Sequence, residues 1–364
     1  MTTIEDLPTP ALVIDADKLD ANLLHTAERA SRLGAHLRPH VKTHKCVEIA
    51  QRQRDIGCQG ITVSTLHEAA VFAAHGFDDV TWAFPVILNR IAEVRSVAEK
   101  CTLRLVVDSI TALDALEQTR FPFHVWLKID CGYHRAGVDP KGDLVVELAQ
   151  RIFKSSGLRF DGILTHSGHA YHARSTSEIG RIARQEHAVM VALSERLAQR
   201  GIEVPAVSIG STPAMSQYSR LDGVDEVRPG NYVFYDFTQV ALGSCRVGDC
   251  AVTVIASVVS TSATSDHSVI DAGALALSKD TGPSTSSPPT MGRVFECYGE
   301  SRLRTEQEIY GLSQEHGLIS GRLPVGSRIR ILPNHSCLTV ACFDEYAVVR
   351  GDEVVDRWKI HRGR

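Results

Sequence analysis

Long apolar runs are missing from this chain, and no stretch approaches the roughly 20 consecutive apolar residues that a membrane span requires. The opening residues Met1-Thr2-Thr3-Ile4-Glu5-Asp6 carry neither a basic segment nor an apolar one, so no secretory signal is expected. A surplus of charge is also missing. With 39 Lys and Arg against 43 Asp and Glu the net charge is −4, which gives no electrostatic reason to expect nucleic acid or a membrane surface as a partner. A disulfide framework is not indicated either. The cysteines at 46, 58, 101, 131, 245, 250, 297, 337 and 342 are odd in number and irregular in spacing, which argues for a reducing, cytoplasmic setting. Cys245 and Cys250 suggest a metal knuckle, but no second pair follows them to complete a structural zinc site. No Gly-x-Gly-x-x-Gly opens a helix, which argues against dinucleotide binding. There is no solenoid-type repeat.

What is present is an ordinary soluble composition, 43% hydrophobic and 23% charged, over 364 residues, enough for one large domain and a smaller one. Short apolar runs at 60–63, 80–84, 103–107, 124–129, 160–165 and 206–209 read as strands. Helical patterns lie among them at 66–75, 91–100 and 178–200. Repeated βα units over about 220 residues predict a parallel sheet of a length that suits a closed (β/α)8 barrel of the TIM type, with an open doubly wound sheet as the alternative. After about Tyr235 the helical period fades. Runs at 252–259, 267–271, 328–332 and 346–350 predict a second, mainly antiparallel β domain. The division is therefore expected at 1–235 and 236–364, with the extreme N-terminus free to join the β domain. Residues 279–290 form a polar Ser/Pro loop that cannot build a core and is a candidate mobile element at the mouth of a site.

The segment with most chemistry is Arg38-Pro39-His40-Val41-Lys42-Thr43-His44-Lys45. Val41-Lys42 reads as the end of a short strand, where an α/β fold turns side chains into its ligand site. Pro39 fixes φ and commits the backbone. A lysine becomes an amine nucleophile when desolvation or neighbouring cations depress its pKa, and Arg38, His40, His44 and Lys45 supply positive potential around Lys42.

This segment resembles the cofactor-lysine segment of the D-serine dehydratase and D-threonine aldolase family, pyridoxal-phosphate enzymes of fold type III whose N-terminal barrel is shared with alanine racemase. The resemblance implies that Lys42 carries the Schiff base. Lys128-Ile129-Asp130-Cys131-Gly132-Tyr133-His134-Arg135-Ala136-Gly137 resembles the block whose arginine lies close to the cofactor phenolate, a role that falls on Arg135. In Thr165-His166-Ser167-Gly168-His169-Ala170-Tyr171, His166 matches the histidine that packs near the pyridine ring, with His169 and Tyr171 as substrate-side candidates. Gly and hydroxyl residues at strand ends can cradle a phosphate. On that basis and by resemblance Ser211, Thr212, Gly230 and Asn231 are expected to hold it. Arg228 matches the arginine that faces the pyridine nitrogen. Such an arginine leaves the ring a weaker electron sink, so further assistance is needed. His335-Ser336-Cys337 resembles a zinc-binding His-x-Cys, and two residues two apart on a strand share a face. Imidazole and thiolate together suit zinc, with manganese or magnesium as the other divalent candidates.

The resemblance implies a cytoplasmic, metal-dependent lyase of D-3-hydroxy amino acids. D-Serine-type dehydration to a 2-oxo acid and ammonia is favoured over retro-aldol cleavage to glycine and an aldehyde. An amino-acid racemase and a non-catalytic cofactor carrier are weaker alternatives. A homodimer acting on a small D-amino acid is implied, with no nucleic-acid or membrane partner.

Overall fold

The protein is seen here as a computed structural model that describes residues 2–283 and 289–364. Residues 284–288, inside the predicted polar loop, lie outside the described part. The chain forms two compact units, and their segments interleave in sequence. One unit comprises Thr26–Lys42, Ile49–Gly230 and Gly363–Arg364; the other comprises Met1–His25, Thr43–Glu48 and Asn231–Arg362.

In the first unit eight parallel strands follow one another in chain order: His36–Leu37, Ile61–Val63, Asp79–Pro85, Thr102–Val107, Phe123–Lys128, Leu158–Leu164, Val207–Ile209 and Glu226–Val227. The last pairs back onto the first, with His36 opposite Glu226. A bridge between His40 and Thr62 joins the first to the second. The sheet is therefore closed, and the open alternative is excluded. Its strands read as apolar runs because a parallel sheet is covered on both faces. Thr65 starts the helix Leu66–Ala74 by accepting the Glu68 amide, while the Glu68 carboxylate returns to the amides of Ser64 and Thr65. Ser109, Ser175 and Ser211 cap their helices by the same amide acceptance.

Side chains fill the barrel in layers. Val106, Trp126 and Leu164, with Ala206, make an apolar layer. Toward the N-terminal ends of the strands lies an ionic layer. Arg38 Nε donates to Glu226 at 2.6 Å, and its Nη1 donates to Asp79 at 2.7 Å. Arg104 joins Asp79 (2.9 Å) to Asp161 (2.6 Å), which also meets His124 at 2.8 Å. Residues from six strands or strand ends are thereby tied across the barrel. The expected contribution of Arg38 to the potential around Lys42 is corrected by this arrangement: its charge is matched by two carboxylates.

The second unit is a nine-stranded sheet. Six of its strands, Val252–Thr261, His267–Ile270, Gly317–Ser320, Arg302–Leu312, Arg293–Cys297 and Arg328–Leu332, pair in that order and return to the first, all antiparallel. The N-terminal strand Ala11–Asp15 lies between Val252–Thr261, antiparallel, and Glu345–Arg350, parallel. Ile4, Leu7, Val13, Ile255, Ala347 and Val349 form a core where these elements meet. Among the described residues no helix is long and apolar enough to cross a membrane, and none of the nine cysteines forms a disulfide.

Burial works to raise the Asp79 carboxyl, but hydrogen bonds and charge from Arg104 and Arg38 prevail and hold it at about 2, below its usual 3.8. The unfolded chain binds that proton at the higher pH, so the stabilisation is complete above about pH 4 and is lost as the pH falls through about 2. Asp79→Asn is expected to cost about 2 kcal/mol at neutral pH, with the deficit mostly gone at about pH 2.5. Urea unfolding of both proteins at the two pH values measures this, and an unchanged deficit would show that the carboxylate charge is not what matters.

Candidate active site

The C-terminal ends of the barrel strands carry the chemistry-bearing residues of the first unit. The residue expected to end a strand, Lys42, lies instead on a single 3-10 turn, Val41–Thr43. The strand itself stops at Leu37. The His40 amide donates to the Pro229 carbonyl at 2.9 Å and the Thr62 amide to the Pro39 carbonyl at 2.8 Å, so the segment leading to Lys42 is fixed to two neighbouring strand ends. Val41 is fully buried and Lys42 half-buried.

Lys128 ends its own strand. Burial, then the charge of Arg228 and of Arg135, push its ammonium down to about 7. The loop that follows is organised by Asp130, whose carboxylate accepts the amides of Gly132 (2.9 Å) and His134 (3.0 Å). Gly137, at φ +113°, must be glycine: a Cβ would stand 2.6 Å from the Ile129 carbonyl carbon. This loop presents Tyr133, whose ring meets His166 edge-on and stacks on His169, each at 6.1 Å between centroids. Arg135 is exposed, with its guanidinium carbon 4.9 Å from the centre of the same ring. Gly168 lies against Tyr133, leaving no room for a Cβ.

His166 directs Nδ1 at the Gly210 carbonyl, 3.2 Å away. A carbonyl can only accept, so Nδ1 is the protonated nitrogen and Nε2 keeps its lone pair. Burial, then Lys42, Lys128 and Arg135, hold its pKa well below the ordinary histidine value, so the ring is neutral. His169 and Tyr171 share the turn Gly168–His172 and are half-buried. Burial is the main cause of a lowered pKa at His169.

Ser211 caps the helix Thr212–Gln217 through the Ala214 amide. The Thr212 hydroxyl is buried and has no hydrogen-bond partner among the described residues. Arg228 is buried, with its guanidinium on the Ser208 hydroxyl and the Thr165 carbonyl. Gly230 follows it, half-buried. A neutral imidazole, the fixed Arg228 guanidinium, a half-buried lysine and a buried hydroxyl without a partner among the described residues form a donor set that suits a phosphorylated pyridine aldehyde.

In the second unit Asn231 donates to Asp236 (2.6 Å), Ser336 (2.9 Å) and Cys337 (3.7 Å). Its side-chain amide therefore braces the His335–Cys337 segment. The strand expected there is corrected: His335 is the N-cap of a short helix, Ser336–Val340, and Cys337 sits in its first turn. The two side chains still come together. Burial opposes a charged His335 imidazole, but Cys337 and Asp280 outweigh it and raise its pKa to about 11. Asp280 accepts from His335 Nδ1 at 2.9 Å, and the Asn334 amide holds the carbonyls of Asp280 (2.9 Å) and Thr290 (2.5 Å). Thr43 Oγ1 is 3.3 Å from Cys337 Sγ. Among the described residues no cluster of three or more His, Cys, Asp or Glu is able to hold a metal.

Several organising residues escaped the sequence reading. Asp236 caps the helix Phe237–Ala241 and accepts from Ser336 and Asn231; burial raises its pKa. Tyr133 and Asp280 lay inside noted motifs without a role. Glu186 had a readable signal, since it falls among Ile179, Ile182, Ala183, Met190 and Leu193 on the buried stripe of a helix.

Residues 14–236 match the family model described as alanine racemase, N-terminal domain, and residues 251–349 match the one described as putative serine dehydratase domain. A D-threo-3-hydroxyaspartate dehydratase of Delftia sp. (strain HT23) is 36% identical, with 98% of each chain covered. A D-serine dehydratase of Dictyostelium discoideum is 34% identical over 98% of this chain and 97% of its own. A D-threonine aldolase of Arthrobacter sp. is 28% identical over 97% and 92%. A cysteine-to-alanine variant of a D-threo-3-hydroxyaspartate dehydratase, solved in a metal-free form, superposes with a TM-score of 0.94 at 35% identity, with all of both chains covered. This chain therefore belongs to the family of lyases that joins an alanine racemase N-terminal domain to a serine dehydratase domain.

Proposed function

We propose that this lyase dehydrates D-3-hydroxy amino acids to 2-oxo acids and ammonia, with pyridoxal phosphate on Lys42 and a divalent ion on His335 and Cys337. The observation that carries this reading is the convergence of imidazole and thiol, with Asp280 on the far nitrogen of the imidazole. A carboxylate there fixes the tautomer and leaves Nε2 to an ion. The metal-free cysteine variant of a D-threo-3-hydroxyaspartate dehydratase supports it. Nitrogen and sulfur donors favour zinc over manganese or magnesium, which prefer oxygen.

When bound, pyridoxal phosphate supplies an electron sink for the carbanion left by loss of the Cα proton. A divalent ion supplies Lewis-acid polarisation of the leaving hydroxyl. The chain's own residues do the rest. Lys42 offers its amine from a turn that cannot drift. The neutral His166 is held in one tautomer by Gly210. His169 and Tyr171 stand on one short turn as substrate-side groups. Ser211, Thr212 and Gly230 offer hydroxyl and amide donors to a phosphate. Arg228 keeps its proton at working pH, so a pyridine nitrogen set beside it would stay unprotonated and be a weaker sink, and the leaving group would then need help from a metal.

Retro-aldol cleavage is the second reading, favoured by the Arthrobacter relative. With zinc and pyridoxal phosphate supplied, D-threonine is expected to give 2-oxobutyrate and ammonia; glycine and acetaldehyde would establish an aldolase instead. Lys42→Ala is expected to reduce turnover to background, as is chelation of the metal, and full activity after either would remove that part of the proposal. Asp280→Ala is expected to weaken zinc binding by about 10- to 100-fold, measured by equilibrium dialysis with metal analysis. An unchanged affinity would mean that Asp280 does not orient a ligand.

A further inference from the structure

Glu186 is a fully buried carboxylate on the apolar stripe of the helix Thr176–Ala198. For packing alone a leucine or methionine would serve at least as well, because taking a charge out of water costs several kcal/mol unless hydrogen bonds compensate. Here the compensation is complete. One carboxylate oxygen accepts the amides of Ser167 (3.0 Å) and Gly210 (3.2 Å). The other accepts the hydroxyls of Ser167 (2.8 Å) and Tyr218. A carboxylate has about four lone-pair positions, and all are taken. Glu186 has no free lone pair to offer a substrate.

The donors come from three places that matter. Ser167 follows His166 at one strand end. Gly210 follows the next strand and immediately precedes Ser211 and Thr212. Tyr218 closes the short helix that those two residues open. The Gly210 peptide is held from both sides: its amide goes to Glu186 and its carbonyl takes His166 Nδ1 at 3.2 Å. Gly210 has φ +110°, a conformation without a strong preference of its own, so external hydrogen bonds decide where the turn points. With the turn so fixed, the Thr212 hydroxyl is left buried without a partner among the described residues.

We infer that Glu186 is a positioning residue that sets the Gly210–Thr212 turn as the receptor for the cofactor's phosphate, acting through backbone amides and Tyr218 and touching neither cofactor nor substrate. This rests on the proposed use of pyridoxal phosphate, and it goes further by naming which part of the cofactor depends on Glu186.

The test compares pyridoxal phosphate with pyridoxal, which lacks only the phosphate, in spectrophotometric titrations of the full chain freed of cofactor. The unaltered chain is expected to prefer pyridoxal phosphate. Glu186→Gln keeps the size but replaces one acceptor oxygen by a donor; it is expected to lose about 10-fold or more in affinity for pyridoxal phosphate while its affinity for pyridoxal stays within about 3-fold. Tyr218→Phe removes a single donor at the same carboxylate and is expected to shift the preference in the same direction by a smaller factor, which keeps the test usable if the glutamine variant does not fold. An unchanged preference in the variants overturns the inference, as does an equal loss for both ligands, the signature of a general packing role. If the unaltered chain binds neither compound, the proposed function fails and this inference falls with it.

Discussion

A buried arginine between two carboxylates on different strands closes the barrel. Arg38 follows the first strand, Glu226 begins the last, and Asp79 begins the third. Backbone hydrogen bonds cross the seam between the first and last strands from the His36 amide to Asp225, from the Arg38 amide to Val227 and from the His40 amide to Pro229. The guanidinium adds a fixed fork across that seam, and planar bidentate geometry is what distinguishes arginine from lysine in this role. Everything placed at the opposite ends of the strands, from the turn of Lys42 to the Gly210 turn, depends on that closure being in register. The ionic layer and the chemical rim are thus separated along the barrel axis, with apolar side chains such as Trp126 between them.

The rim achieves rigidity by a different means. Few of its groups are held by packing alone. Glu186 clamps two turns, Asp130 organises a third, and Gly137 and Gly168 allow approaches that no other residue permits. In the second unit Asp236 and Asn231 do for the His335 segment what Glu186 does in the barrel. Both units therefore use a buried acid, saturated with donors, to hold backbone that carries chemistry. Such networks are costly when half satisfied and rigid when complete, which is why each acid is surrounded by amides and hydroxyls and not by a single counter-charge.

Much of this was legible in the sequence, and the parts that were not share physical causes. Six of the eight barrel strands announced themselves because burial on both faces makes them apolar runs; His36–Leu37 and Glu226–Val227, two residues each, are too short to do so. Arg302–Leu312 did not: along RLRTEQEIYGL only Ile309 is fully buried, so it lacks the alternation that marks a strand. The strand end expected at Lys42 was wrong in secondary structure, because a 3-10 turn of three residues leaves no periodicity to read. His335 and Cys337 converge through a helix N-cap, where two residues apart can also meet, and spacing alone does not separate that from a strand. Tyr133, Asp280 and Glu186 work through partners remote in sequence, and only the folded chain brings those partners together.

The N-terminal strand Ala11–Asp15 has its two neighbours at Val252–Thr261 and Glu345–Arg350. On the ribosome, at about 5–20 residues per second, it waits roughly 20–70 s for the second of them to be made. During that interval the barrel segments in between can be completed, while an apolar strand remains with open edges. The order of synthesis is thus the reverse of what the sheet needs, because this strand is made before both of its partners. An unpaired apolar edge of this kind is a template for association with other chains, so a nascent chain of this architecture carries that liability until Val252–Thr261 and Glu345–Arg350 have been made.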